Sequence, residues 1–325
     1  MKPEEHWYWM AEFIRLETDL GGPDPHLATL GKMIEAEPQW ERVWRIGCYA
    51  AGYNVPTGEA IWQEWSQGDV LGRPAEFAGW IAAHWAGMGL RRERRAVRTP
   101  EKFARCLVSY AAWMETAMTA PWWTEPDFPR AWQECDRIYG MGRYVLLKLV
   151  EGLCRYGGAR FVETDIRAAG GHSPREGLAL LYPEHLSRLT SSDNSPLLVR
   201  WIEEVVAADA RVRLERMTGP LDYFTLQVIL CEYKKVQAGR QYPGRTHDTE
   251  LRYLADAQRY WRNTSTMLAA RRAIFPVQVL GEVQGWDGKR EELSACLPDH
   301  GYLWSDLIFD YHATDDLAAP ARWAA

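Results

Sequence analysis

IYGMGRYVLLKLVEGL, from Ile138 to Leu153, is the stretch from which the fold is read. Gly140-Met141-Gly142 is followed by a run whose apolar residues recur at helical spacing, which is how a tight turn between two helices looks in sequence. Gly140 and Gly142 can adopt positive φ or admit a close backbone, and Arg143 opens the second helix. Such a hairpin turns backbone N–H groups and a helix N-terminus outward, which suits a phosphate. Taken alone, the same pattern also describes a plain connection between helices.

Outward from the hairpin, the helical pattern continues in both directions. Trp7, Met10, Ala11, Ile14 and Leu16 form a stripe that Gly21 to Pro25 ends. Helices are expected over 27–37, 40–53 and 77–88, with another over 61–65 after a Pro56-Thr57 turn in which Thr57 is the cap. Thr99-Pro100-Glu101-Lys102 is a helix start, with Thr99 as cap, and that helix is predicted to reach Met118. Residues 129–139 and 143–156 make the two arms of the hairpin. Further helices are expected over 173–181, 197–208 and 221–237, and from Asp248 and Glu250 to about Arg262. Only Phe275 to Leu280, before Gly281, reads as a short β element near the C-terminus. The fold class is therefore mainly all-α. The chain divides into an N-terminal helical region, 1–98, a catalytic region, 99–265, and a C-terminal extension, 266–325, within one two-lobed unit.

Composition limits the function. The chain has 325 residues, 47% of them hydrophobic, enough for a sizeable core. Its 38 Lys and Arg against 44 Asp and Glu leave a net charge of −6, which argues against a uniformly basic nucleic-acid coat but allows a local basic cleft. The six cysteines are scattered without a Cys-x-x-Cys pair, as expected of reduced thiols in a cytosolic protein. No signal-peptide pattern opens MKPEEHWYWM and no apolar run reaches membrane-spanning length, so a soluble intracellular protein with no membrane partner is expected. The 17 tryptophans read chiefly as core, although flat aromatic surfaces also suit nucleobases. Zinc-hydrolase, serine-hydrolase and Walker-type phosphate motifs are all missing from the sequence.

Two basic runs remain as candidates for anion chemistry. RRERRAVR, Arg91 to Arg98, is either a solvated loop before a helix or a phosphate-contacting patch. CEYKKVQAGRQYPGRTHDTEL, from Cys231 to Leu251, places Lys234, Lys235, Arg240 and Arg245 around glycines, with Tyr233 and Tyr242 interleaved. Arg forks can bind phosphate or carboxylate through paired hydrogen bonds, and lysines add point charge. APWWTEPDFP, Ala120 to Pro129, carries Trp122, Trp123 and Phe128 in a rigid loop and reads as a hydrophobic plug ahead of the alternative, a wedge at a base stack.

The hairpin, a helix and then Val162-Glu163-Thr164-Asp165-Ile166-Arg167 resemble, in that order, the helix-hairpin-helix DNA glycosylases. The resemblance implies a glycosylase-like helical domain whose Gly-x-Gly turn grips DNA and whose catalytic Asp follows. Two departures are visible: Arg143-Tyr144 stands where many members place a Lys, and the interval to Asp165 is a few residues long. With WRIGCYAAGYNVPTGEAIW (Trp44 to Trp62) and CEYKKVQAGRQYPGRTHD, the chain over about 40–265 is more similar to a phage offshoot of that superfamily. This offshoot is the amino acid:DNA transferases, also described as alpha-glutamyl/putrescinyl thymine pyrophosphorylases.

That resemblance implies a transferase acting on double-stranded DNA in which 5-hydroxymethyluracil has been pyrophosphorylated. An amine of glycine, another small amino acid or a polyamine displaces the pyrophosphate, in the cytoplasm of an infected bacterial host. Gly140, Gly142, Arg143 and Lys148 are then expected on the DNA. Asp165 orients and deprotonates the amine, with Glu163 as its rival for that role. Lys234, Arg240 and Arg245 act on the leaving group, while Arg167, Lys235, Tyr242 and Asp248 hold substrate, Arg167 through the amino acid's carboxylate. No metal ligand set is implied; a divalent cation is the one cofactor for which this chemistry has a use. A true glycosylase and a noncatalytic nucleic-acid- or protein-binding module are the competing readings.

Overall fold

The structure, a computed structural model, describes residues 3–161, 172–186, 202–238, 244–258, 260–261 and 265–276. These residues fold into helices, and no strand occurs among them. The helices are α1 (Pro3–Asp19), α2 (Pro25–Ile34), α3 (Gln39–Gly52), α4 (Val55–Glu64), α5 (Gln67–Gly72), α6 (Pro74–Ala83), α7 (Pro100–Ala117), α8 (Phe128–Cys135) and α9 (Arg143–Arg155). They continue with α10 (His172–Leu181), α11 (Pro183–Leu186), α12 (Ala207–Thr218, entered through a π turn), α13 (Tyr223–Gln237), α14 (Arg245–Gln258) and α15 (Ser265–Ile274). The mainly all-α reading holds. Of the expected β element, Phe275 and Pro276 continue from α15 without strand structure, and 277–280 lie outside the described residues.

Side-chain caps fix several helix starts. The Leu27, Lys102, Arg130 and Thr225 amides donate to the side chains of Asp24, Thr99, Asp127 and Asp222, respectively. The helix expected to start beyond Thr57 instead begins at Val55, because the Thr57 amide donates to Asn54 Oδ1 at 3.2 Å. Pro56 sits inside this first turn, where its missing N–H costs nothing. Asn54, not Thr57, is therefore the cap.

Two apolar cores organise the helices. The larger draws on α2 to α9, with Phe224 of α13, Leu251 and Leu254 of α14, and Met267 of α15. The smaller joins α1 to α10, α12, α13 and Phe275. Within the first core, α3 packs on both α7 and α9, and the Tyr110 hydroxyl donates to the Val43 carbonyl at 2.6 Å. The tryptophans are mainly structural: Trp44, Trp65, Trp122 and Trp123 are buried in this core, and Trp62, Trp80, Trp85, Trp113, Trp132 and Trp261 pack against it. Trp44 Nε1 donates to the Trp65 carbonyl and Trp113 Nε1 to that of Glu134, so these indoles bury their rings without losing a hydrogen bond. Trp122 and Trp123 also settle the APWWTEPDFP loop, which plugs the core. No helix among the described residues is long and apolar enough to cross a membrane.

Candidate functional site

The hairpin is present, and its two glycines differ. Gly140 has φ +76°, and a Cβ there would stand 2.5 Å from Val97 Cγ1. Gly142 is the N-cap of α9 with φ −71° and ψ 157°, and an added Cβ would meet nothing within 4 Å. No side chain caps α9, whose opening amides at Arg143 and Tyr144 precede the first helix-internal donors, Val145 and Leu146. Gly142, Arg143 and Tyr144 are exposed. The fold requires Gly140, while Gly142 leaves the helix end open to a neighbour.

Behind this turn lies Arg94, from the basic run. It is 1% exposed, with Nε donating to the Ala51 carbonyl at 2.6 Å and a terminal nitrogen donating to the Gly140 carbonyl at 2.9 Å. Burial draws its pKa down, with Cys106 opposing. The run is thus neither wholly solvated nor wholly phosphate-facing: one of its arginines builds the hairpin.

Lys148 occupies the opposite kind of position from the one expected. Its side chain is 1% exposed, and its ammonium is held by Asp24 at 2.6 Å and Glu151 at 2.8 Å. Burial works against its charge, but these carboxylates more than offset that and hold its pKa well above the usual lysine range. A buried ammonium bound by two carboxylates does not reach a DNA phosphate, so the expected contact is corrected to an internal ion triad. Arg155 extends it by bonding Glu151 at 3.0 Å and Asp222 at 2.8 Å.

Next to the triad, aromatic and polar groups converge on the open end of α9. Tyr53 caps α3 in the left-handed region, φ 52° and ψ 42°, an uncommon conformation for a bulky residue. Its hydroxyl shares a hydrogen bond with that of Tyr144 at 2.9 Å. The half-buried Arg91 lies 4.4 Å from the Tyr53 ring centre and 5.7 Å from that of Tyr253. His26 is packed near Tyr253, and burial, reinforced by Arg91, holds its imidazole neutral despite Asp24.

The cationic run of α13 splits. Lys234 pairs with Glu176 of α10 and reaches Ser173 Oγ at 3.3 Å. Lys235, the next residue, turns to Cys231 and Glu232 and lies within electrostatic reach of Tyr144; burial opposes its charge, and these groups more than offset that, raising its pKa. Adjacent helical residues point about 100° apart, so the two lysines cannot serve one anion from the same face. Arg245 opens α14 after Gly244, whose amide donates to buried Glu17 of α1 at 2.9 Å. Asp248 lies in α14. Glu163, Asp165, Arg167, Arg240 and Tyr242 lie outside the described residues.

The family described as "Amino acid:DNA transferase" matches residues 51–242, more than half of the chain. The chain belongs to this family. It is accordingly a transferase whose substrates are DNA and an amino acid. No curated protein and no solved structure matches it.

In this transferase the matched segment contains Tyr53, Arg91, the hairpin, Lys148 and all of α13, whereas Asp24 and His26 precede it. No pattern in the sequence singles out Asp24, His26 or Tyr253. The one local signal is Lys148-Glu151 inside VLLKLVEGL, a charged i, i+3 pair in an otherwise apolar helix. The pair is neutral by itself, and the second carboxylate that joins it, on Asp24, is remote in sequence.

Proposed function

We propose that this transferase joins the amine of a small amino acid, glycine in the first instance, to the C5 methylene of pyrophosphorylated 5-hydroxymethyluracil in DNA. The amine nitrogen attacks the methylene carbon and a C–N bond forms. The C–O bond to pyrophosphate breaks, its electron pair leaves on oxygen, and the nitrogen gives up its surplus proton. The observation supporting the reading is the uncapped N-terminus of α9, where Gly142 and Arg143 are exposed, inside the family segment.

In this reading the backbone at Gly142 and Arg143 holds a DNA phosphate, as a helix N-terminus favours. The modified base leaves the stack so that its methylene enters a drier site. Lys235, with Arg240 and Arg245, stabilises the departing pyrophosphate by fixed charge. Asp165, with Glu163 as its rival, accepts the amine proton. Lys234, already paired with Glu176, has no part in it.

The test is to incubate the chain with DNA carrying 5-pyrophosphoryloxymethyluracil and glycine, digest to nucleosides and analyse by mass spectrometry. A glycyl-substituted nucleoside with matching pyrophosphate release is expected. Free base with alkali-labile abasic sites would identify a glycosylase instead. Retained duplex binding without any chemistry would identify a binding module.

A further inference from the structure

Three features of the cluster beside α9 are unused by DNA or pyrophosphate binding. The Arg91 guanidinium is half-buried against Tyr53 and Tyr253, and among the described residues no carboxylate pairs with it. His26 is 1% exposed, and neither of its ring nitrogens has a hydrogen-bond partner. The hydroxyl of Tyr49, also buried, has none. Buried polar atoms are normally satisfied, so these three atoms remain available to a ligand.

The charge pattern shows which partner. Lys148 is shared between Asp24 and Glu151, and Arg155, which also bonds Glu151, is itself paired with Asp222. The ion network around Lys148 therefore has more carboxylate than it neutralises, while Arg91 has none. His26 packs against Tyr253 with ring centres 6.2 Å apart and Tyr49 against Tyr53 at 5.8 Å, the two rings that flank Arg91, and both lie within electrostatic reach of Asp24. An unpaired cation beside a surplus of carboxylate complements a zwitterion. A phosphate suits it poorly, because the same carboxylates repel it.

We infer that Arg91, His26, Tyr49 and Asp24 form the receptor for the amino acid, with the Arg91 guanidinium taking the α-carboxylate and the Asp24–His26 side taking the ammonium. Tyr53 and Tyr253 hold the guanidinium in place through their ring faces. Arg91, rather than Arg167, then anchors the carboxylate. The inference rests on the amino acid half of the function proposed above and is independent of which DNA base is modified.

The test uses ligand-observed NMR on the full chain without DNA, with each of the twenty amino acids and its carboxamide. Wild type is expected to bind at least one amino acid and to reject its amide. Arg91→Ala should weaken that binding by roughly 10- to 100-fold, the loss of a charge-assisted pair, with Arg91→Lys recovering part of it. No amino acid binding to wild type, equal binding of acid and amide, or full affinity in Arg91→Ala would overturn the proposal. So would intact amino-acid binding alongside a shallower salt dependence of duplex affinity in Arg91→Ala, which would reassign Arg91 to a phosphate. The acid–amide comparison and Arg91→Lys decide the matter even if Arg91→Ala does not fold. Amino-acid binding without nucleoside product would keep this receptor and reject the pyrophosphate reaction; product without acid–amide discrimination would do the reverse.

Discussion

The Arg94 guanidinium donates to the Gly140 carbonyl at 2.9 Å, so a residue of the basic run holds the hairpin turn from inside. The same side chain satisfies the Ala51 carbonyl and contacts Cys106 Sγ at 3.5 Å. Arg94→Met keeps the length but orphans both carbonyls, and should destabilise the fold by roughly 3 kcal/mol, read from the urea midpoint. Because the guanidinium is buried, the salt slope of duplex binding should not change in protein that remains folded. A shallower slope would place Arg94 on a phosphate.

The glycines on either side of Met141 should separate stability from function. At Gly140, φ +76° and the proximity of Val97 make an Ala strained, and Gly140→Ala should cost about 2 kcal/mol or more. Gly142→Ala meets no neighbour and should change stability by less than about 0.5 kcal/mol. If DNA backbone approaches this helix end, the added methyl should still weaken duplex binding by roughly tenfold, the equivalent of one charge-assisted hydrogen bond. Unchanged affinity in Gly142→Ala, by fluorescence anisotropy, would remove the hairpin from the interface.

What the sequence makes legible is local. Gly-x-Gly between helical runs, Thr99 before Pro100, and the tryptophan-rich plug each depend on near neighbours, and all appear in the structure. Tyr53 does not show itself, because in GYN either Gly52 or Asn54 is a better left-handed residue, and only the contacts with Tyr144 and Arg91 explain the choice. Lys148 misleads for a related reason. A lysine after a glycine hairpin looks DNA-facing until Asp24, far off in sequence, turns out to be its partner. The divergence of Lys234 and Lys235 follows from helical geometry, but which of them pairs with Glu176 does not.

Removing the Lys148 ammonium leaves two buried carboxylates without their counter-charge. Lys148→Met should therefore destabilise by roughly 3–5 kcal/mol, the usual cost of breaking a buried pair from one side. Adding Asp24→Asn and Glu151→Gln to it should recover part of the loss, a coupling that a set of urea titrations would show. Purely additive losses would mean that the three groups do not act as a unit.

Lys235 and Lys234 are adjacent, yet Lys234 pairs with Glu176 while Lys235 lies within electrostatic reach of Tyr144, at the start of α9. If its charge serves the departing pyrophosphate, Lys235→Ala should lower kcat by about 100-fold, as loss of a preorganised donor does. Its affinity for unmodified duplex should fall far less. Equal losses in turnover and in duplex affinity would make Lys235 a backbone contact only.

Glu59 of α4 gives the fold a dependence on pH. It is buried, one carboxylate oxygen has no partner, and burial pushes its pKa up to about 7 against the opposing effects of Thr266 and Arg45. The folded state therefore keeps a proton that the unfolded chain gives up near pH 4.5. The stability from the neutral carboxyl is fully present below that lower value and is lost as pH rises toward 7, above which its contribution levels off. Across this window Glu59 alone should remove roughly 3 kcal/mol, at about 1.4 kcal/mol for each pH unit that separates the two values. Glu59→Gln carries no titrating group, so its urea midpoint should vary less between pH 5 and 8 and exceed that of wild type at pH 8. Parallel pH profiles for the two proteins would show that Glu59 is ionised in the native state and that its burial is relieved by solvent.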